Sequence, residues 1–328
     1  MKVKLYGVRG SLPAPLRNAE YRVKLEEILK RSIASGLKSE EQIASFLDHL
    51  PGHLSHVVGG DTTCVRVDSD DGDVYILDAG TGLRPLGDEL MAGPWGKGQG
   101  KIHIFFTHTH WDHIQGLPFF KPIYIPGNEL HLYSPLPDLE DRMAYQTTDR
   151  FFPMPFHNSA STKFFHQLKQ GESIHLDGGL QLDSHPLKHP GGSQAYRFKS
   201  EAGTFIFATD AEFTGEDLMS RPDDAAFFDQ AELLVMDAQY TLDESFSKFD
   251  WGHTSYTMAV NCAVHWKVKN LVLTHHEPAY SDEKIFENFK NAIEHRMALQ
   301  HSSPRIFLAR ESAEFDIKAL KSGPAQGA

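Results

Sequence analysis

Residues 107–113 read Thr-His-Thr-His-Trp-Asp-His and follow directly on the apolar run KIHIFF at 101–106. Desolvating three imidazoles and a carboxylate side by side is costly, so the chain must bring them to a place where something compensates them. His108 and His110 alternate with threonines at the end of a strand-like run, which projects both imidazoles to one side. Asp112 and His113 follow where the chain must turn, and are thereby aimed at a second point. Neutral imidazole and carboxylate are the donors that Zn²⁺ and related divalent ions prefer. The segment therefore predicts a metal site at the end of a β-strand, against the alternative of a polar loop with solvated histidines.

The rest of the chain allows such a site to be buried. It has 328 residues, 40% of them hydrophobic, enough for one substantial core. Cys64 and Cys262 lie in apolar stretches and are too few for a disulfide framework, which predicts buried thiols and a reducing, cytoplasmic setting. No run of 18 apolar residues and no leader-like segment is present, so no membrane partner is expected. Forty-four acidic against 32 basic residues give a formal charge of −12, which disfavours a nucleic-acid polymer. Among the 19 histidines, His103, His131, His175 and His265 sit singly and are expected to be structural or at the surface.

Short strand-like runs recur at 3–8, in a two-strand hairpin over 59–82, and at 101–106, 129–133, 180–189, 195–200, 204–210, 232–238 and 270–275, with clear helices at 254–266 and 282–298. Residues 19–49 read as two amphipathic helices broken at Gly36, the second opening with Ser39-Glu40-Glu41. The pattern predicts an α/β fold of two packed sheets covered by helices rather than a regular βαβ winding. It also predicts one domain over 1–328, with a helical insertion at 14–58 serving as a lid or dimer element.

THTHWDH matches the HxHxDH signature of the metallo-β-lactamase superfamily, and the other motifs of that family occur in order. Asp78 ends a strand in YILDAGTG, His189 lies in LKHPGGS, Asp210 in FATDAE and His275 in LVLTHHEP. The resemblance implies an αββα sandwich with two divalent metal ions at one edge. His108, His110 and His189 would hold one ion, Asp112, His113 and His275 the other, and Asp210 would bridge them. Zn²⁺ suits this set best, with Mn²⁺ or Fe²⁺ as alternatives. Asp78 reads as an orienting residue behind the ligands. Only one of His275 and His276 can point inward from a strand, and the family pattern favours His275.

The superfamily holds many activities, so other residues must choose among them. WGHTSY at 251–256 resembles the Gly-His-Ser-Thr motif of the phosphodiesterase branch with Thr and Ser exchanged, and it places His253 beside a helix expected to begin near Thr254. A helix N-terminus with a proton donor is a natural phosphate site, so His253 and Thr254 are candidates for substrate binding. GVRGSLP and GGDTTC resemble a bacterial subgroup that includes cyclic nucleotide phosphodiesterases. This adds Arg9 as a phosphate ligand, with a salt-bridged turn arginine as the equal alternative. Ribonuclease Z shares these motifs but binds tRNA through an arm between the third and fourth. Only residues 190–209 separate His189 from Asp210 here.

The reading is thus a metal-dependent phosphodiesterase for a small phosphodiester, foremost a cyclic nucleotide, attacked by a hydroxide bridging the metals. Asp112, Asp210 and His253 form its catalytic set. A ribonuclease Z-like endonuclease and a lactonase or thioesterase are the alternatives.

Overall fold

A computed structural model describes residues 1–299 and 304–322. The first sheet is built from β1 (Lys2–Gly7), β2 (Cys64–Asp68), β3 (Val74–Leu77), β4 (Lys101–Phe105), β5 (Glu129–Ser134) and β6 (Thr162–Gln167). The second is built from β7 (Ser173–His175), β8 (Gln181–Leu187), β9 (Ser193–Ser200), β10 (Gly203–Ala208), β11 (Leu233–Asp237), β12 (Asn270–Thr274) and β13 (Arg305–Leu308). β14 (Glu314–Asp316) returns to the edge of the first sheet beside β1. Strand order is β14-β1-β2-β3-β4-β5-β6 in one sheet and β13-β12-β11-β10-β9-β8-β7 in the other.

Alternation along the strands explains the layering, because successive residues face opposite sides of a sheet. In β10, Phe205 and Phe207 join the core between the sheets, while Ile206 and Ala208 face a helical layer containing Tyr256, Val260 and Trp266. In the first sheet Phe105 faces inward, while Ile102, Ile104 and Phe106 pack with Leu83, Leu86 and Phe120. The outcome is the αββα sandwich. Both sheets are mixed, however: β3-β4-β5-β6 and β10-β11-β12-β13 pair in parallel, so the absence of βαβ winding holds only for the other half of each sheet.

The insertion forms helices Asn18–Ser35, Ile43–Asp48 and Gly52–Ser55, with Gly36 closing the first at φ 71°. None of the first helix's residues is fully buried. Lys24 ties that helix to the His56 carbonyl and to Asp282, at the start of helix Asp282–Ala298. Cys64 and Cys262 are both buried free thiols. Among the described residues no helix is long and apolar enough to cross a membrane.

His175 and His265 are exposed, as expected, but His103 and His131 are not isolated. Parallel register sets His103 beside His131, and their rings stack at 5.0 Å, with His166 continuing the row at 5.2 Å from His131. Burial above all, then the neighbouring His131, pushes the His103 imidazole from 6.5 down to about 3. The unfolded chain then takes up a proton below about pH 6.5 that the folded chain refuses. Stability is full above that pH and falls as pH drops toward the folded value. His103→Phe should flatten this slope, reducing the loss between pH 7 and pH 4.5 by about 1–3 kcal/mol in urea unfolding. An unchanged slope would show that His103 is not what senses the acid.

Candidate metal centre

The C-terminal ends of β3, β4, β8, β10, β11 and β12 meet along one edge of the sandwich, because β8 and β10 each run antiparallel to β9 and so share a direction. Asp78 follows β3, His108 and His110 follow β4, His189 follows β8, Asp210 follows β10 and His275 follows β12. Asp112 and His113 sit on the single turn Trp111–Ile114. The structure brings all seven candidate ligands together in two groups, His108/His110/His189/Asp210 and Asp112/His113/Asp210/His275. Within each group the donor atoms lie within 4.8 Å of one another.

Asp210 belongs to both groups and turns one oxygen toward each. Its Oδ2 lies 3.7 Å from His108 Nε2 and 3.5 Å from His189 Nε2. Its Oδ1 lies 3.0 Å from both His113 Nε2 and His275 Nε2. Asp112 Oδ2 closes the second group at 3.2 Å from His113 and 3.4 Å from His275, and accepts the Ser11 amide at 2.8 Å.

The imidazoles of His113, His189 and His275 are each aimed by a partner on the far nitrogen. His113 Nδ1 meets Asp78 Oδ2 at 2.9 Å, and Asp78 is fixed by the Thr107 amide and hydroxyl, each at 2.8 Å. His189 Nδ1 donates to the Gly252 carbonyl at 2.9 Å, and His275 Nδ1 to Gln239 Oε1 at 3.1 Å. Such contacts fix ring orientation and strengthen the inward nitrogen as a donor. His276 points away, with Nε2 on the Ala309 carbonyl at 3.0 Å, so His275 is the inward member of the pair. Two glycines permit this closeness. A Cβ on Gly252, at φ 87°, would stand 2.3 Å from His189 Nδ1, and one on Gly10 would stand 2.4 Å from His275 Nδ1.

The electrostatics divide between the groups. Burial, helped by the neighbouring His113, pushes His108 well down, and burial likewise lowers His110 and His189. Burial also opposes charge on His113 and His275. Asp210 with Asp112 and Asp78 nevertheless lifts His113 well up, and Asp210 with Asp112 lifts His275 to about 10. Against its own burial, Asp210 is held well below the carboxylate range by His113, His275 and His108.

The donor set fits a divalent cation. The Nε2 atoms of His108, His113 and His275 are buried with no hydrogen-bond partner, although each faces the convergence point. A buried imidazole nitrogen left without a partner costs desolvation energy, which a bound cation removes.

The three residues proposed to touch substrate fare unequally. His253 stands at the site, its ring 5.0 Å from His275 and 5.2 Å from His189, with Nδ1 on Asp237 Oδ2 at 2.7 Å. Thr254 does not reach outward. It is buried, its hydroxyl bonded to the Ala211 carbonyl and the Phe213 amide, and the helix starts at Tyr256 with Ser255 as its cap. Arg9 is likewise buried, donating to the carbonyls of Gly59, Glu277 and Tyr280 and lying 3.6 Å from Asp282. The turn-arginine alternative is the one observed.

Asp237 was the residue not foreseen. Besides His253 it accepts the amides of Asp210 and Thr254 at 3.1 Å each and of Gln239 at 3.2 Å. The available signal was its place at the end of the apolar run ELLVMD, beside the strands that end in Asp210 and His275.

Comparison with known proteins places this geometry in a family. The chain belongs to the beta-lactamase superfamily domain family, whose profile matches residues 74–276, and this is a family of metal-dependent hydrolases that includes nucleases and phosphodiesterases. A curated relative, Ribonuclease Z of Prochlorococcus marinus (strain NATL1A), is 27% identical over 230 residues, covering 54% of this chain and 71% of the relative. The metallo-beta-lactamase fold protein YhfI from Bacillus subtilis superposes with TM-score 0.62 at 15% identity, over 96% of this chain and 98% of that one. A diphosphatase from the PhnP family gives TM-score 0.58 at 18% identity, over 96% and 97% of the two chains.

Two neighbouring histidines provide the test. His275→Ala should lose metal from the second group, read by elemental analysis of purified protein. His276→Ala should keep its metal and lose only folding stability. Asp78→Asn should weaken metal affinity by roughly 10–100-fold without abolishing it. Equal metal content in the two histidine variants would remove His275 from the ligand set.

Proposed function

We propose that this family member is a metal-dependent phosphodiesterase hydrolysing a small phosphodiester, foremost a cyclic nucleotide. The observation that carries the reading is the His253–Asp237 pair beside the two ligand groups. His108, His110 and His189 would hold one divalent cation, Asp112, His113 and His275 the other, and Asp210 both. Zn²⁺ suits the imidazole-rich set, and Mn²⁺ or Fe²⁺ accept the same donors. Bound there, the cations supply Lewis acidity and water of lowered pKa.

The chain's own part is proton delivery and orientation. With Nδ1 engaged by Asp237, His253 has Nε2 left for a substrate. A protonated His253 hands a proton from that nitrogen to the departing alkoxide oxygen, and the Asp237 carboxylate steadies the charged ring beforehand. Three backbone amides on Asp237 keep it from turning away. An alkoxide leaving a phosphodiester needs such a donor, which favours this reading over a thioesterase. The amide and carboxylate contacts at Asp112 and Asp78 hold the ligand rings still during turnover.

A ribonuclease Z-like activity has its own support in the curated relative of that name. Against it, β9 and β10 with their tight turn take up most of the chain between His189 and Asp210, leaving no length for a tRNA-gripping arm. The net charge of −12 also opposes a polyanion.

His253→Ala should lower kcat on a cyclic nucleotide by roughly 10²–10⁴ and leave metal content unchanged. Bis(p-nitrophenyl) phosphate, whose leaving group needs little protonation, should suffer much less. Equal losses on both would make His253 a binding residue. Cleavage of a 3′-extended tRNA in preference to small diesters would establish the nuclease reading instead.

A further inference from the structure

Trp111, Tyr145 and Phe151 are 81%, 71% and 68% exposed, large apolar rings that a monomer ordinarily covers. They are not scattered. Together with Thr109, Arg142 and Gln146 they line a cavity of about 770 Å³, in which Tyr145 and Phe151 meet edge to face at 6.2 Å. Its inner wall is the ligand loop itself, since Thr109 lies between His108 and His110, and Trp111 between His110 and Asp112. Arg142 is braced at that wall, donating to Thr109 Oγ1 at 2.7 Å and pairing with Asp138 at 3.0 Å.

We propose that this cavity receives the heterocyclic base of the substrate, so that the diester cleaved at the His/Asp groups belongs to a nucleotide. The inference rests on the phosphodiesterase reading and narrows its substrate class. A base offers two π faces for stacking on Trp, Tyr or Phe, and its polar edge suits a guanidinium and a side-chain amide. The volume lies within the range of small-ligand sites and exceeds what a bare phosphate or sugar phosphate would fill. Thr109 and Trp111, which line the cavity, alternate in sequence with the ligands His108, His110 and Asp112, so a base here would lie against the ligand loop. A simple alkyl diester would leave the three rings unused.

Calorimetry on metal-loaded protein, comparing AMP and GMP with ribose 5-phosphate, tests the assignment. The wild type should bind a nucleoside monophosphate roughly 10–100-fold more tightly than ribose 5-phosphate. Tyr145→Ala should cut that preference about tenfold and leave ribose 5-phosphate binding as it was. Phe246→Ala, which removes an exposed ring outside the cavity, should keep the full preference. Equal affinity for both ligands in the wild type, or an undiminished preference in a folded Tyr145→Ala, would overturn the proposal. Because the readout is binding, it stands apart from turnover. A base preference without hydrolysis of any diester would sink the proposed reaction and support the cavity assignment. Hydrolysis without a base preference would do the reverse.

Discussion

The Asp210 carboxylate, buried and shared between two groups of imidazoles, is the contact on which the site depends. An ionised carboxylate in a protein interior must be compensated. Here compensation comes from four histidines whose inward nitrogens lie 3.0–3.7 Å away: 3.0 Å for His113 and His275, 3.5 Å for His189 and 3.7 Å for His108. Histidine alone can balance the carboxylate only by taking up protons, and the raised values at His113 and His275 show the field doing that in one group. In the other group burial keeps the rings neutral, and their lone pairs remain available to a cation.

The fold's contribution is to end several strands at this one edge. Three of the residues there, Asp78, Asp210 and His275, adopt left-handed backbone conformations with φ of 60°, 52° and 62°. Asp78 and His275 follow their strands directly and Asp210 one residue later, and none is glycine. Non-glycine residues held in this region carry strain that the surroundings must offset. At Asp78 and Asp210 the surroundings are hydrogen bonds that also serve the site, from Thr107 and to Asp237. The turn that reverses each strand is thus the turn that aims its side chain.

Much of this was legible in the sequence because strand alternation and strand ends are local properties. THTHWDH marked one wall by its local pattern, and the resemblance to the metallo-β-lactamase motifs supplied Asp78, His189, Asp210 and His275, each just beyond a strand-like run. Alternation allowed only one of His275 and His276 to point inward, the family pattern favoured His275, and the structure agrees through the Ala309 contact of His276. What escaped was decided by tertiary neighbours. Arg9 and Thr254 sit in motifs that suggested substrate contact, but their hydrogen-bond partners come from segments far along the chain, at 277–282 and 211–213. The helix Leu83–Leu90 went unread: it follows the capping Gly82 and carries Pro85 in its first turn and Gly87 at its middle, which weaken its helical pattern. Parallel pairing, which turned single histidines into the His103–His131–His166 row, depends on register between distant strands.

Diffraction data collected at the metal absorption edge, from crystals grown with zinc or manganese, test the central claim most directly. The account predicts two anomalous peaks per chain. One should be enclosed by His108, His110, His189 and Asp210, the other by Asp112, His113, His275 and Asp210. A single peak, or metal bound elsewhere while these seven side chains stay empty, would contradict it.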